Sequence, residues 1–210
     1  MKWDRWLACL LVTLGSAYAG YSGIQYYEKI RAVQHVSADL AALAGDRKTA
    51  DATQKAATDG GHDRVVVPYR KRPKTGQHFA DLIIPKLKAK MPVIEGTDED
   101  ELAVGVGHYA GSVLPGEPDN CVLSGHRDTV FRHVGELKQG DELQVVTSQG
   151  TFVYEITRTW VTDPDDRSVI VPLGRAVLTL TTCYPFSYIG PAPKRYIIQA
   201  QLKEKITIPQ

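Results

Sequence analysis

Cysteine is scarce in this chain, with 3 among 210 residues: Cys9, Cys121 and Cys183. None stands in a CxxC or CxxH spacing, which excludes a disulfide framework and argues against a structural zinc site. Cys9 lies in an N-terminal apolar segment, so only Cys121 and Cys183 could pair within the remainder of the chain. An excess of charge of either sign is also missing. Lys and Arg total 25 against 24 Asp and Glu, a net charge of +1, so nothing drives the chain as a whole toward nucleic acid or an acidic partner. There is no internal repeat and no low-complexity tract, which excludes solenoids and repeat arrays.

What is present is unevenly spread. Between Arg5 and Glu28 runs WLACLLVTLGSAYAGYSGIQYY, without a charge. As a helix it is long enough to cross ~30 Å of hydrocarbon. Trp3 and Trp6 at one end, and Tyr26 and Tyr27 at the other, are placed as interfacial anchors, and Lys2 and Arg5 against Asp4 favour a cytoplasmic N-terminus. The expectation is a single-pass membrane anchor over residues 1–27. The alternative is a cleaved signal peptide, because Ala17-Tyr18-Ala19 fits an A-x-A site. Either way, the rest of the chain is extracytoplasmic. Residues 28–76 read as a spacer, rich in Ala, Asp and Lys and poor in large apolar residues. Its Pro-flanked basic run PYRKRPKTG (68–76) reads as a solvated linker.

From Gln77 the texture changes to short β-prone runs separated by turns. They are FADLIIP (79–85), MPVIEG (91–96), NCVLSG (120–125), ELQVVTS (142–148), TFVYEITRTWVT (151–162), SVIVP (168–172), AVLTLTTC (176–183) and RYIIQAQL (195–202). Ser148-Gln149-Gly150 signals a tight hairpin. One short helix is expected after Thr97, where TDEDELAV supplies a cap and first-turn acids, and a helical turn over Val130–Leu137. Eight short strands with so little helix predict an all-β fold, a closed or nearly closed eight-stranded barrel over residues 77–210.

In AVLTLTTC, alternation puts Leu178 and Leu180 on one face and Thr179, Thr181 and Cys183 on the other. The leucine face is the natural core side. Cys183 therefore falls off it, at the strand's end before Tyr184-Pro185, where a structural cysteine is not expected. A nucleophilic thiol needs a proton partner and an oxyanion stabiliser. Of six histidines, His35 and His62 lie in the spacer, His78 at the domain's edge and His133 on the helical turn, which leaves His108 and His126. His126 stands at a strand end, after Gly125. Arg195 opens the last strand; its charge could equally guard an edge strand against aggregation.

Taken together, SGHRD (124–128), TLTTC (179–183) and KRYII (194–198) resemble the sortases, the membrane-anchored cysteine transpeptidases of bacterial surfaces. The resemblance extends through LIIPKL, PVIEGT, GVGHYAGSVLPGEPDNCVLSGHRDTVF, GDELQV and TCYPFSYIGPAPKRYII, covering Gln77–Leu202. It implies the eight-stranded sortase barrel. Cys183 matches the nucleophile, His126 the general acid/base and Arg195 the oxyanion-stabilising residue; Cys183 lies 57 residues after His126 and 12 before Arg195. Thr182 matches the threonine before the cysteine, and Thr181 and His108 are carried as supporting or substrate-binding positions. Asn120 is read as structural.

The resemblance implies cleavage of an LPxTG-like sorting signal and transfer of the acyl group from Cys183 to an amine, on a cell-wall precursor or a pilin lysine. No cofactor is implied. Calcium, bound by some relatives, is left open, and Asp163, Asp165 and Asp166 read as a turn with a local cap. No Asp-Pro-Trp/Phe lid, long inserted helix or apolar C-terminal tail is seen, and the motifs look most like class D. Two other readings stand beside this one. One is a secreted cysteine hydrolase whose acyl-enzyme is resolved by water; the other is a non-catalytic β-barrel binding module.

Overall fold

The structure, a computed structural model, describes residues 3–31, 34–35, 69, 71–187 and 190–206. The N-terminal segment forms one helix, α1 (Trp3–Arg31). No helix among the described residues is long and apolar enough to cross a membrane. Gly, Ser and Tyr dilute the hydropathy of its second half. The strands are β1 (Gln34–His35), β2 (His78–Ile84), β3 (Ala89–Glu95), β4 (Val106–His108), β5 (Asn120–Ser124), β6 (Glu142–Thr147), β7 (Gly150–Thr162), β8 (Val177–Tyr184) and β9 (Lys194–Ile206).

Hydrogen-bonded neighbours run β3-β2-β6-β7-β9-β8-β5-β4, and β4 pairs back onto β3, so eight strands close a barrel. The β3–β4 and β5–β8 pairs are parallel and the other barrel pairs antiparallel. Period-two alternation fills the interior: Leu82 and Ile84 from β2, Leu143 and Val145 from β6, Leu178 and Leu180 from β8, and Ile198 and Ala200 from β9. Phe131 and Tyr154 are fully buried among them. The expected hairpin joins β6 to β7, with Gly150 at φ +121° pairing Thr147.

The expected total of eight barrel strands is met by a different set. SVIVP (168–172) is no strand. Its carbonyls at Val169 and Val171 accept from the Asn120 side-chain amide, and the N–H groups of Leu173 and Gly174 donate to the Asp119 carboxylate. Side-chain partners thus replace a ladder, and Ile170 and Val171 stay exposed. The missing strand is β4, which reads as a loop because Gly107 sits at its centre. A Cβ there would stand 2.5 Å from the Gly96 carbonyl oxygen, so the barrel closes only around a glycine.

The expected helix after Thr97 is α2 (Glu99–Val104), where Glu101 accepts from the Asp98 N–H at 3.0 Å. Over Val130–Leu137 only Val134–Glu136 forms a 3₁₀ turn. The end of the sequence-defined spacer is fastened to the barrel: Tyr69 donates to the Pro115 carbonyl at 2.8 Å, and the Arg72 guanidinium reaches the Ser112 carbonyl and Glu117. The remainder of that segment, apart from α1 and β1, lies outside the described residues.

Candidate active site

β8 carries the leucine face inward and the cysteine face outward, as alternation requires. Leu178 and Leu180 are buried in the barrel, while Cys183 is a half-buried free thiol on the opposite face. That outer face is itself covered lower down, since Thr179 is fully buried and its hydroxyl donates to the Asn120 side-chain oxygen at 2.7 Å. The shared face alone therefore does not tell Cys183 from Thr179; exposure at the strand end does.

Antiparallel pairing of β8 with β9 sets Cys183 directly opposite Arg195. Directly paired residues share a face, with Cβ atoms roughly 4.5–5.5 Å apart. Arg195 is also the register partner of Thr162 at the end of β7, so β9 is an interior strand and an edge-guarding role for Arg195 is excluded. Its guanidinium is half buried. One Nη donates to the carbonyls of Lys194 at 3.1 Å and Ala192 at 3.4 Å, and no carboxylate pairs with it among the described residues. A cation held only by two carbonyls keeps donors free for a developing anion.

The parallel β5–β8 ladder delivers the histidine. Ser124 pairs with Thr181, the Gly125 N–H donates to the Thr181 carbonyl at 3.2 Å, and the Thr182 hydroxyl donates to the Gly125 carbonyl at 2.7 Å. Gly125 is thus latched to the two residues before Cys183, and His126 emerges beside the end of β8. The chain then turns back: the His126 carbonyl accepts from the Phe131 N–H at 3.0 Å. His126 Nε2 is buried and has no hydrogen-bond partner among the described residues. Such an atom costs about 1–3 kcal/mol if nothing ever meets it, and functional sites are where that cost is retained.

The structure brings Cys183, Arg195, Thr181, Thr182 and His126 to the adjoining ends of β5, β8 and β9. It places His108 elsewhere. His108 pairs in register with Glu95 on β3 and is completely buried, with its Nδ1 2.6 Å from Glu95 Oε2. The Ser112 hydroxyl already donates to the Tyr109 carbonyl, so the His108 Nε2–H is the donor to the Val113 carbonyl at 3.0 Å. Both ring nitrogens are engaged inside the protein. Asn120, read as structural, makes three side-chain hydrogen bonds.

Cys121 faces inward opposite Leu178, and burial, the largest cause, pushes its thiol far above the ordinary range. Asp166 caps its own turn, accepting from the Ser168 hydroxyl and N–H and from the Thr162 hydroxyl, bonds that hold its carboxyl below the usual range. Asp163 accepts from Lys194 at 2.6 Å. Among the described residues no group of three or more His, Cys, Asp or Glu side chains is assembled to hold a metal ion.

Sequence reasoning passed over Arg127. Its guanidinium donates to the carbonyls of Pro185 at 3.2 Å and Gly190 at 2.7 Å, both in the loop between β8 and β9. Only its adjacency to His126 could have marked it. The ring cluster of Tyr184, Phe186 and Tyr196 was equally unmarked; Tyr184 and Tyr196 continue the inward face of β8 and β9 and stack on one another, with Phe186 edge-on to both.

A family model described as the sortase domain matches residues 82–203. Sortase D of Bacillus subtilis is 43% identical over 189 residues, covering 90% of this chain and 93% of the relative. Among solved structures, the catalytic domain of Bacillus anthracis SrtD is 43% identical with a TM-score of 0.58, covering 69% of this chain and 99% of that one. A Clostridium perfringens sortase D5 transpeptidase is 31% identical with a TM-score of 0.58, covering 63% of this chain and 83% of that one.

Proposed function

The chain belongs to the sortase family and is a cysteine transpeptidase, and from that premise we propose how its own residues divide the work. Cys183 is the nucleophile, Arg195 the oxyanion stabiliser and His126 the general acid and base. The observation that supports this assignment is the direct β8–β9 pairing of Cys183 with Arg195, together with the bond from Thr182 to Gly125, the residue before His126.

The thiolate of Cys183 attacks the scissile carbonyl carbon of a sorting signal, of the LPxTG type in the Thr–Gly or Thr–Ala bond. The oxyanion that forms is met by the Arg195 guanidinium, a planar, cationic fork of donors. His126 gives a proton to the departing amine, leaving a thioester on Cys183. An incoming amine, from a cell-wall precursor or a pilin lysine, attacks the thioester, and His126 takes up the proton it loses. Thiol, imidazole and guanidinium fill the three roles, so the proposed reaction draws on no cofactor. Thr182 acts by holding Gly125, Thr181 shares the outer face with Cys183, and His108, bonded to Glu95 and Val113 away from the site, serves the stability of the barrel wall.

We further propose that α1 attaches the enzyme to the membrane, with the barrel outside. In support, Leu10, Leu11, Val12 and Leu14 of α1 are all exposed, apolar surface that water disfavours and lipid would cover. Cleavage of an LPxTG reporter peptide, with and without an added amine, tests the chemistry. Cys183→Ala is expected to show no turnover. His126→Ala and Arg195→Ala should lose about 10²–10³-fold in rate. The parent should convert peptide to an amine adduct; hydrolysed product alone, at saturating amine, would favour a hydrolase.

A further inference from the structure

We propose that Arg127 is a positioning residue for this reaction, holding in one place the three chain segments that carry His126, Cys183 and Arg195. The inference rests on the site assignment above. Arg127 directly follows His126. Its two terminal nitrogens divide between opposite ends of the loop that joins β8 to β9: one donates to the Pro185 carbonyl, two residues past Cys183, and the other to the Gly190 carbonyl, five residues before Arg195. One rigid, planar side chain therefore bridges the acid/base segment to both sides of the nucleophile–arginine hairpin.

Among the described residues that loop has few other attachments. The last register pair of the hairpin is Tyr184 with Lys194, and residues 185–193 lie beyond it. Pro185, Pro191 and Pro193 bring no N–H, and among the described residues the loop makes no backbone–backbone hydrogen bond. Phe186 supplies a second attachment by packing on Tyr184 and Tyr196, but a ring contact does not fix the direction of a carbonyl. The loop carbonyls are where Arg195 is also anchored, through Ala192. Loosening the Gly190 end thus loosens the segment whose Ala192 carbonyl helps aim the Arg195 guanidinium, and loosening the Pro185 end loosens the chain directly after the last ladder pair, Tyr184 with Lys194. Lysine, with one point of charge, cannot satisfy two separate carbonyls at fixed spacing as a guanidinium does.

The test compares Arg127→Ala and Arg127→Lys with the parent and with Cys183→Ala in the full chain. It reads thermal unfolding and the steady-state cleavage of an LPxTG reporter with added amine. Misplacement of reacting groups acts on kcat, so Arg127→Ala is expected to lose about 10–100-fold in kcat with KM within about twofold of the parent. Added guanidinium ion should recover part of that loss, and Arg127→Lys should unfold near the parental temperature yet remain impaired in kcat. A parental kcat in either folded variant, a loss confined to KM, or no recovery with guanidinium would overturn the proposal. If Arg127→Ala does not fold, the kcat of Arg127→Lys decides. Should Cys183→Ala turn over like the parent, the site assignment itself falls. If Cys183→Ala is inactive while Arg127→Ala is not impaired, only the role of Arg127 falls.

Discussion

Cys183 and Cys121 differ in chemistry only through where their strands put them. Cys121 points into the barrel opposite Leu178, where burial keeps the thiol protonated. Cys183 stands half buried on the other face, opposite a guanidinium with no carboxylate partner among the described residues. The two histidines that sequence left in contention separate in the same way. His126 keeps a buried ring nitrogen unpartnered among the described residues, whereas His108 spends both of its nitrogens inside the barrel wall on Glu95 and Val113. His108 should therefore matter to stability before it matters to turnover. Truncating it leaves Glu95, itself buried, without a partner, which costs about 3–5 kcal/mol. Urea unfolding of His108→Ala is expected to show that loss, while Cys183→Ala unfolds close to the parent. Parental stability in His108→Ala would contradict this account of the pair.

At the scale of the element, the turn after β5 decides where His126 goes, and a glycine decides the turn. A Cβ on Gly125 would stand 2.7 Å from a Phe131 ring carbon and 2.8 Å from a Val130 methyl, and both of those side chains are buried. Gly125→Ala should cost about 1–3 kcal/mol by overpacking. It should also lower turnover, because the displaced turn carries His126; denaturant unfolding together with reporter cleavage checks both effects. This constraint explains what sequence could and could not disclose. β8 was legible because Leu178 and Leu180 alternate with Thr179, Thr181 and Cys183, and a strand with one apolar face announces both its faces. β4 was not, since its three residues are centred on Gly107 and depend on partners from β3 and β5. SVIVP carried β propensity that side chains of Asp119 and Asn120 override, a tertiary effect with no local signature. Arg127 was hidden for the same reason: its two acceptors lie 58 and 63 residues downstream.

For the whole molecule, barrel closure brings distant segments to one rim. β5 pairs directly with β8 and β8 with β9, so the site draws His126 from a strand end outside the C-terminal hairpin that carries Cys183 and Arg195. The N-terminal helix sits outside that logic, with every described side chain from residue 9 to 24 exposed. If it is the anchor, intact-mass measurement of protein extracted from membranes should return a mass that retains residues 1–19, whereas their loss would mark Ala17-Tyr18-Ala19 as a cleavage site. The proposed chemistry requires a covalent step at one sulfur. Reacting the full chain with an LPxTG peptide in the absence of amine, and mapping the adduct by mass spectrometry, tests it most directly. The predicted result is an acyl group on Cys183 that hydroxylamine removes and that Cys183→Ala does not acquire. Turnover of the peptide with no adduct at Cys183, or an adduct on Cys9 or Cys121 instead, would contradict it.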